Sequence, residues 1–581
     1  MQDTPSILKA LTLEEKASLC SGADMWHTKA IQRLSIPPIM MADGPHGLRK
    51  QENPDDPLGV SVPATCFPTA SALAASWNRN LLQEVGIALG EECLQERVSV
   101  LLGPGCNIKR SPLCGRNFEY FSEDPFLAGE LAASFILGVQ SKGIGTSLKH
   151  FAVNNQECRR MSIDARVDER ALHELYLAGF EMAVRKAQPW TVMCAYNQLN
   201  GAFCCEHETL LTTILKQEWG HTGIVMTDWG AMNRRVEALQ VGCELEMPGP
   251  RGSNDALMVN AVNDGTLSEA ILDEAVGRLL GLIARAQKNL QSDFRYDADA
   301  HHELARFAAT EGAVLLKNTG DLLPLGRNAR IAVLGRFAKE PRFQGAGSSN
   351  INPTRLENAY EHMLRLHDGR LSYASGYSPR AETTDAAAIQ EAVAYAREAE
   401  IAVVFAGLTD WDEIEGLDRS HLHLPPGHHA LIEAVSAANP NTVVVLSNGA
   451  PVEMPWEPQV PAILEGYLGG QAGGRALAEI LYGEVNPSGK LAETFPLHLE
   501  DTPSHAYFPG GPKTVEYRES LFVGYRFFDT AQKEVLFPFG HGLSYTHFSY
   551  HNLQLSSSTL QDGDTLTVQF TIRNDGGRAG A

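Results

Sequence analysis

Nowhere does the chain carry the roughly 20 consecutive apolar residues that a membrane-spanning helix needs, which sets a helical membrane protein aside. Positive charge is scarce: 48 Lys and Arg stand against 70 Asp and Glu, a net charge of −22. That balance argues against nucleic acid or an anionic membrane as partner, and it favours solubility. No CxxC pair occurs among the ten cysteines, which removes the common zinc and redox motifs. All ten lie in the N-terminal half, in apolar or irregular contexts. They are expected to be reduced packing residues, the adjacent Cys204 and Cys205 included. The opening MQDTPSILKALTLEEKASLC lacks the basic flank and apolar core of a secretory signal, and a cytoplasmic location is expected. Internal repeats and low-complexity tracts are missing too. The Gly-rich GAGSSNINP, Gly345 to Pro353, has neither the Lys-Ser/Thr of a P-loop nor GxGxxG spacing, so it reads as a loop edging a pocket.

What the chain does have is length and alternation. At 581 residues it exceeds a single core, and 44% hydrophobic with 20% charged residues describes ordinary globular material. Residues 1–297 alternate short apolar runs with amphipathic stretches. Strands are expected at Pro38–Ala42, Val98–Leu102, Gly145–Leu148, Thr191–Ala195, Ile224–Thr227 and Cys243–Met247. Helices are expected at Arg79–Glu96, Pro125–Lys142, Asp168–Lys186, Glu208–Trp219 and Ser268–Gln287. Repeated βα units of this size imply an α/β fold with a parallel sheet, closing into a barrel-like domain. A polar, helix-prone stretch from Gln291 to Thr310 leads on, with a linker set at 298–315. Residues 316–500 carry strands Arg330–Leu334, Ile401–Phe405, Thr442–Leu446 and Ala462–Glu465 with helices between them, an α/β sandwich. Residues 501–545 are rich in Pro, Gly and aromatics and read as an ordered loop wrapped over the rest. Residues 546–581 alternate as strands around an Asp-Gly turn and begin a β-sandwich that stops early.

Polar residues gather at the expected strand ends. GIVMTDWGA places Asp228 at the carboxyl end of a buried strand, with Trp229 beside it as a flat apolar face. One reading is a catalytic acid at the mouth of a β/α layer; the other is a helix cap. DGPHGLR packs an acid, a His and a base around two glycines, as a ligand site or as a turn with a surface ion pair. In GRNFEYFSEDP the SEDP part is a helix start, whereas Arg116 has no obvious structural role. Lys149 and His150 follow one strand directly, and adjacent polar side chains there are costly to bury unless they bind something. Met193 is core by default. Tyr196 could hold an ionised Asp through its hydroxyl. The loop GLTDWDEIEGLDRSHLHLPPGHH carries Glu413, Glu415 and Asp418; it is either a solvated acidic loop or the source of a second acid. Its four histidines flank Pro425-Pro426, which breaks metal-ligand spacing.

Ten such pieces occur in one order over nearly the whole chain: DGPHGLR, GRNFEYFSEDP, KHFAVNNQE with Arg160, DERALHELYL, VMCAYN, GIVMTDWGA, GAGSSN, EGLDR, NPSGKLAETFP and FPFGHGLSYT. In this set the sequence resembles glycoside hydrolase family 3, specifically its β-glucosidase-like members. The resemblance implies a (β/α) barrel-like domain, an α/β sandwich and a fibronectin type III-like domain, the last incomplete and so read as C-terminally truncated. It implies Asp228 as nucleophile and Glu415 as acid/base, with Glu413 the alternative because this loop varies in length. Asp43, Arg116, Lys149, His150 and Arg160 would bind the nonreducing terminal sugar. Met193, Tyr196 and Trp229 would wall the pocket, and Ser348 of GAGSSN would edge it. Neither metal nor cofactor is implied, and the partner is a small β-glucoside or oligosaccharide; a homo-oligomer stays open.

The implied chemistry needs one ionised and one protonated carboxyl, roughly 5 Å apart. Lys149, Arg160 and Tyr196 are expected to keep Asp228 ionised, and Asp412, Glu413 and Asp418 to raise the pKa of Glu415. The activity implied is an exo-acting, retaining β-glucosidase. Alternatives are a β-xylosidase, a broad-specificity glycosidase or transglycosylase of the same family, and an inactive sugar-binding relative.

Overall fold

The computed structural model describes residues 4–53, 56, 59–249, 252–289 and 293–580; Gln291, where the expected polar stretch begins, and Ala581 lie outside them. Five parallel strands form the first sheet, in the order Met41–Asp43, Val100–Leu102, Gly145–Phe151, Thr191–Cys194 and Ile224–Thr227. All seven residues of Gly145–Phe151 are buried, as are all four of Ile224–Thr227, because helices cover the outer face. Helices Arg79–Glu96 and Pro125–Ser141 are two of them. The second starts as SEDP requires, with the Asp124 carboxylate accepting from the Leu127 N–H at 2.8 Å and Pro125 in the first turn.

Cys243–Met247 is not a strand. Only two single-residue bridges, Met226↔Leu245 and Ser21↔Glu246, carry the sheet onward. The Glu244 side chain accepts the Val225 N–H at 2.7 Å, so a carboxylate stands where a strand partner would be. The helix expected over Asp168–Lys186 is broken: a π-helical stretch, Leu172–Tyr176, precedes the α-helix Ala178–Ala187. The stretch Thr209–Glu218 is π-helical throughout.

The second sheet has six strands, ordered Leu371–Ala374, Ile331–Leu334, Ile401–Gly407, Thr442–Ser447, Ala462–Glu465 and Val314–Asn318. Five run parallel and Val314–Asn318 is antiparallel at the edge. The span set as a linker, 298–315, holds helix Ala298–Gly312 and the start of strand Val314–Asn318. Helix Ala298–Gly312 buries His301, His302, Ala305, Ala308 and Ala309, and Val314 opens the edge strand. The helix-prone reading of this stretch is met by an amphipathic element that packs. At Gly312 an added Cβ would stand 2.3 Å from the Ala72 carbonyl oxygen, so the helix is pressed against the first unit.

Residues 501–545 hold regular elements as well as loops. Thr514–Glu516 pairs in parallel with Asp164–Arg166, and helix Tyr525–Ala531 follows. Tyr525 and Arg526 both bond the Asp124 carboxylate at 2.8 Å, which ties this segment to the first unit. Phe548–Leu555 and Val568–Asn574 then form an antiparallel pair joined through Asp562 and the positive-φ Gly563.

Candidate active site

Eleven side chains singled out in the sequence border one cavity of about 420 Å³. They are Asp43, Arg116, Lys149, His150, Arg160, Met193, Tyr196, Asp228, Trp229, Ser348 and Glu415. Met25, Trp26, Arg49, Gly347 and Ile414 complete the lining. A larger cavity of about 750 Å³ shares Arg49 and Gly347. Its other prominent charges cancel in pairs, Arg336 with Glu340 and Arg342 with Asp410, so the smaller cavity carries the chemistry.

Asp228 follows the strand Ile224–Thr227 and is 8% exposed. Its main-chain N–H donates to the Cys194 carbonyl at 3.2 Å, and Oδ1 accepts from the Trp229 N–H at 2.7 Å. Oδ2 has no hydrogen-bond partner; His150 Nε2 lies 3.6 Å away. A buried, half-satisfied carboxylate oxygen is costly unless something binds there. Burial pushes the Asp228 carboxyl up, and the charges of Arg116 and Lys149 oppose it. Of the expected trio, Lys149 does act on Asp228, whereas Arg160 turns towards Glu415 instead. The Tyr196 hydroxyl donates to the Trp229 carbonyl at 3.0 Å, and burial with the Asp228 charge pushes that phenol up. Burial, helped by Arg116, Lys149 and Arg160, drives the His150 imidazole well below its ordinary value, so it is neutral near pH 7.

Arg116 is 1% exposed and locked to Glu119 by two hydrogen bonds of 2.7 and 2.9 Å. Its Nη1 lies 3.6 Å from Glu415 Oε1, and Lys149 Nζ lies 3.6 Å from Glu119 Oε1. Burial raises the Glu119 carboxyl, yet Arg116 and Lys149 outweigh it and leave the group below its ordinary range. Glu119 was legible in GRNFEYFSEDP, but nothing local revealed that it sits between two cations. Asp43 faces Arg49 at 3.7 Å and Lys149 at 3.9 Å, while burial pushes its carboxyl up to about 6.

Glu415 reaches this cavity from a loop of the second unit. Oε1 accepts from Arg160 Nη2 at 2.9 Å, and Oε2 accepts from the Ser348 main-chain N–H at 2.8 Å. The expected rise in its pKa is overturned. Burial does push it up, but Arg116, Arg160 and Ser348 hold the carboxyl far below the ordinary range. The crowding acids turn elsewhere. Glu413 lies outside the cavity lining, accepts from the Gly449 N–H at 2.7 Å, and is raised to about 7 chiefly by burial. Asp418 accepts from the main-chain N–H groups of Gly115, Glu157 and Cys158 at 2.7 to 3.1 Å and fastens the loop to the first unit.

Trp229 and Trp26 form the apolar wall, with ring centroids 5.6 Å apart, and Trp229 Nε1 is fixed by the Met25 carbonyl at 2.8 Å. Met25 and Trp26 sit in the sequence DMWHT, which carries no motif or periodicity that could have pointed to them.

Family models match both units of the chain. The glycosyl hydrolase family 3 N terminal domain matches residues 6–282 and the family's C-terminal domain residues 313–545. A thermostable beta-glucosidase B of Acetivibrio thermocellus is 56% identical over 582 residues, covering 100% of this chain and 77% of that protein. An exo-α-(1→6)-L-arabinopyranosidase of Bifidobacterium longum is 47% identical, covering 98% of this chain and 76% of that protein. The structure of beta-glucosidase 3B from Thermotoga neapolitana in complex with α-D-glucose superposes with a TM-score of 0.91 at 38% identity, covering 99% of this chain and 87% of that one.

Proposed function

The chain belongs to glycosyl hydrolase family 3, and from that premise we propose that it is an exo-acting, retaining β-glucosidase with Asp228 as nucleophile and Glu415 as acid/base. The observation that carries the reading is the unpartnered Asp228 Oδ2, which lines one cavity with Glu415, Arg116, Lys149 and His150. A glycosyl-Asp intermediate forms when Asp228 attacks the anomeric carbon and the aglycone oxygen takes a proton from Glu415. Water, deprotonated by Glu415, then releases the sugar with its configuration retained. Arg116, Lys149, His150, Arg160 and Asp43 would bind hydroxyls, and the walls of Met193, Tyr196 and Trp229 would pack on the ring.

At rest Glu415 is held ionised, the wrong state for the first step, in which it must give a proton; burial pushes Asp228 up, and Arg116 and Lys149 oppose that. Sugar binding reverses the state of Glu415. Hydroxyls take the donors of Arg116 and Arg160, water leaves, and the Glu415 carboxylate loses the partners that kept it ionised. For the second step, where a base is needed, the resting state of Glu415 is already correct.

The test is hydrolysis of p-nitrophenyl β-glucoside by the parent, Asp228→Ala and Glu415→Gln, with azide rescue. The expected result is loss in Asp228→Ala and a β-glucosyl azide from Glu415→Gln. Full activity in Asp228→Ala would sink the assignment. The Bifidobacterium longum relative favours a second reading, an α-L-arabinopyranosidase. That sugar has no C6 hydroxymethyl and carries the opposite configuration at C4. Parallel assays on p-nitrophenyl α-L-arabinopyranoside and β-xyloside decide between the readings.

For the architecture we propose a barrel-like first domain, supported by the parallel sheet and the two bridges that extend it. Its boundary is drawn near residue 297, the helix Ala298–Gly312 joins it to the sandwich, and the hairpin from Phe548 begins a fibronectin type III-like domain. The ten unpaired cysteines support a reducing, cytoplasmic setting; no helix among the described residues is long and apolar enough to cross a membrane.

A further inference from the structure

Three of the free cysteines meet directly behind the proposed nucleophile. Cys194 closes the strand Thr191–Cys194, Cys205 lies in the tight turn Cys204–Glu206, and Cys243 follows the helix Arg235–Gln240. Their sulfur atoms all lie within 4.8 Å of one another, and no residue of the three is more than 1% exposed. Any small apolar side chain could fill such a space; what sets this cluster apart is that three sulfurs from three separate elements converge on one point. The Arg235 guanidinium is fixed by the carbonyls of Cys20, Cys243 and Glu244 at 2.9 to 3.1 Å, so a cation is built in beside the sulfurs.

We infer that Cys194, Cys205 and Cys243 form a three-coordinate site for a soft monovalent metal ion, with Cu(I) as the ligand. Thiolate sulfur selects soft ions, and metal–sulfur bonds of about 2.3 Å in a trigonal plane place the sulfurs about 4 Å apart, within reach of the observed spacing. Zinc asks for a fourth ligand, and among the described residues the group of ligating side chains stops at three. Each copper–sulfur bond replaces an S–H bond and its proton passes to solvent, so filling the site releases protons without any change of oxidation state.

Occupation has a consequence for the adjoining strand. Cys194 pairs with Thr227 in the first sheet, and its carbonyl accepts the Asp228 N–H at 3.2 Å. A metal that draws Cys194 towards the other two sulfurs pulls on the main chain that positions Asp228, so the loaded chain is inhibited.

The experiment is an anaerobic titration of the reduced full chain with Cu(I) supplied as its bicinchoninate complex. One equivalent should leave the chelator, with a near-ultraviolet sulfur-to-copper charge-transfer band and protons released into weak buffer. Copper X-ray absorption on the parent should count three sulfurs; two-coordinate copper would overturn the site. Cys205→Ala and Cys243→Ala, each checked for cooperative melting, should lose that equivalent. Cys66→Ala should keep it, since Cys66 bonds Phe67 and Gln344 elsewhere. No uptake by the parent, or equal uptake by the cluster variants, rejects the inference whatever happens to glycosidase activity.

Discussion

The two halves of the candidate site are held by different means. Asp228 stands on the end of a buried strand whose hydrogen bonds and packing would exist without any ligand. Glu415 stands on a loop of the other unit, and that loop is fastened by single contacts. Asp418 takes three main-chain N–H groups of the first unit, the Arg419 N–H donates to the Leu113 carbonyl at 2.8 Å, and the Glu415 N–H donates to the Ala346 carbonyl at 3.1 Å. The lesson is that one carboxyl is positioned by the fold of a unit and the other by the docking of two. Damage to the docking should therefore spare the first and disable the second.

Asp228→Ala should give the largest effect, a loss in kcat of about 10⁴-fold with melting unchanged. Survival of the activity would show that the strand-held half is not the reacting half. Next comes Asp418→Ala, which frees the loop without touching the cavity. A shift of about 1 Å in a reacting group costs about 10²-fold, so kcat/KM should fall by that order while glucose still binds, as read by calorimetry. Equal losses in turnover and glucose affinity would mean the two halves are not separately held.

Glu119→Gln probes what the halves share, since Glu119 neutralises both Arg116 and Lys149. Removing its charge leaves more positive potential around Asp228 and Glu415, and both carboxyls should ionise at lower pH. The alkaline limb of the kcat profile, which reports the sugar complex, should move down by about one pH unit, a tenfold loss on that limb. A profile that keeps its limbs while activity falls would reduce Glu119 to a purely structural part.

The smallest effect concerns stability. Glu465, fully buried at a strand end of the second unit, is raised to about 8, and Glu413 to about 7, burial being the main cause in both. Each binds its proton more tightly folded than unfolded. Their contribution is therefore complete below the ordinary value of about 4.5 and lost as pH rises through 7 to 8. The melting temperature should drop by a few degrees between pH 5.5 and 8.5, and Glu465→Gln should flatten that slope. An unchanged slope would show that Glu465 does not titrate there.

Much of this site was legible before any fold was known. Eleven residues read from short motifs do line one cavity, because each motif sits at a strand end or in a loop that the α/β arrangement aims at the same mouth. Trp26 and Met25 escaped because apolar residues without periodicity look like any others. The stretch over 298–312 read as helix-prone, but polar composition says nothing of which helix face will be covered.

What the sequence determined by itself was therefore local: which runs are buried strands, where Asp124 caps a helix, which acids and bases stand beside glycines. Only the tertiary structure decided their charges. Glu415 was expected to be raised by its chain neighbours, yet Arg116 and Arg160, the latter 255 residues away and 2.9 Å from it, outweigh burial and reverse the sign. The three thiols of Cys194, Cys205 and Cys243 likewise meet from separate elements. The physical reason is the same in both cases. Electrostatic and coordination energies follow distance through space and the burial around them, and neither quantity is written in the order of residues along the chain.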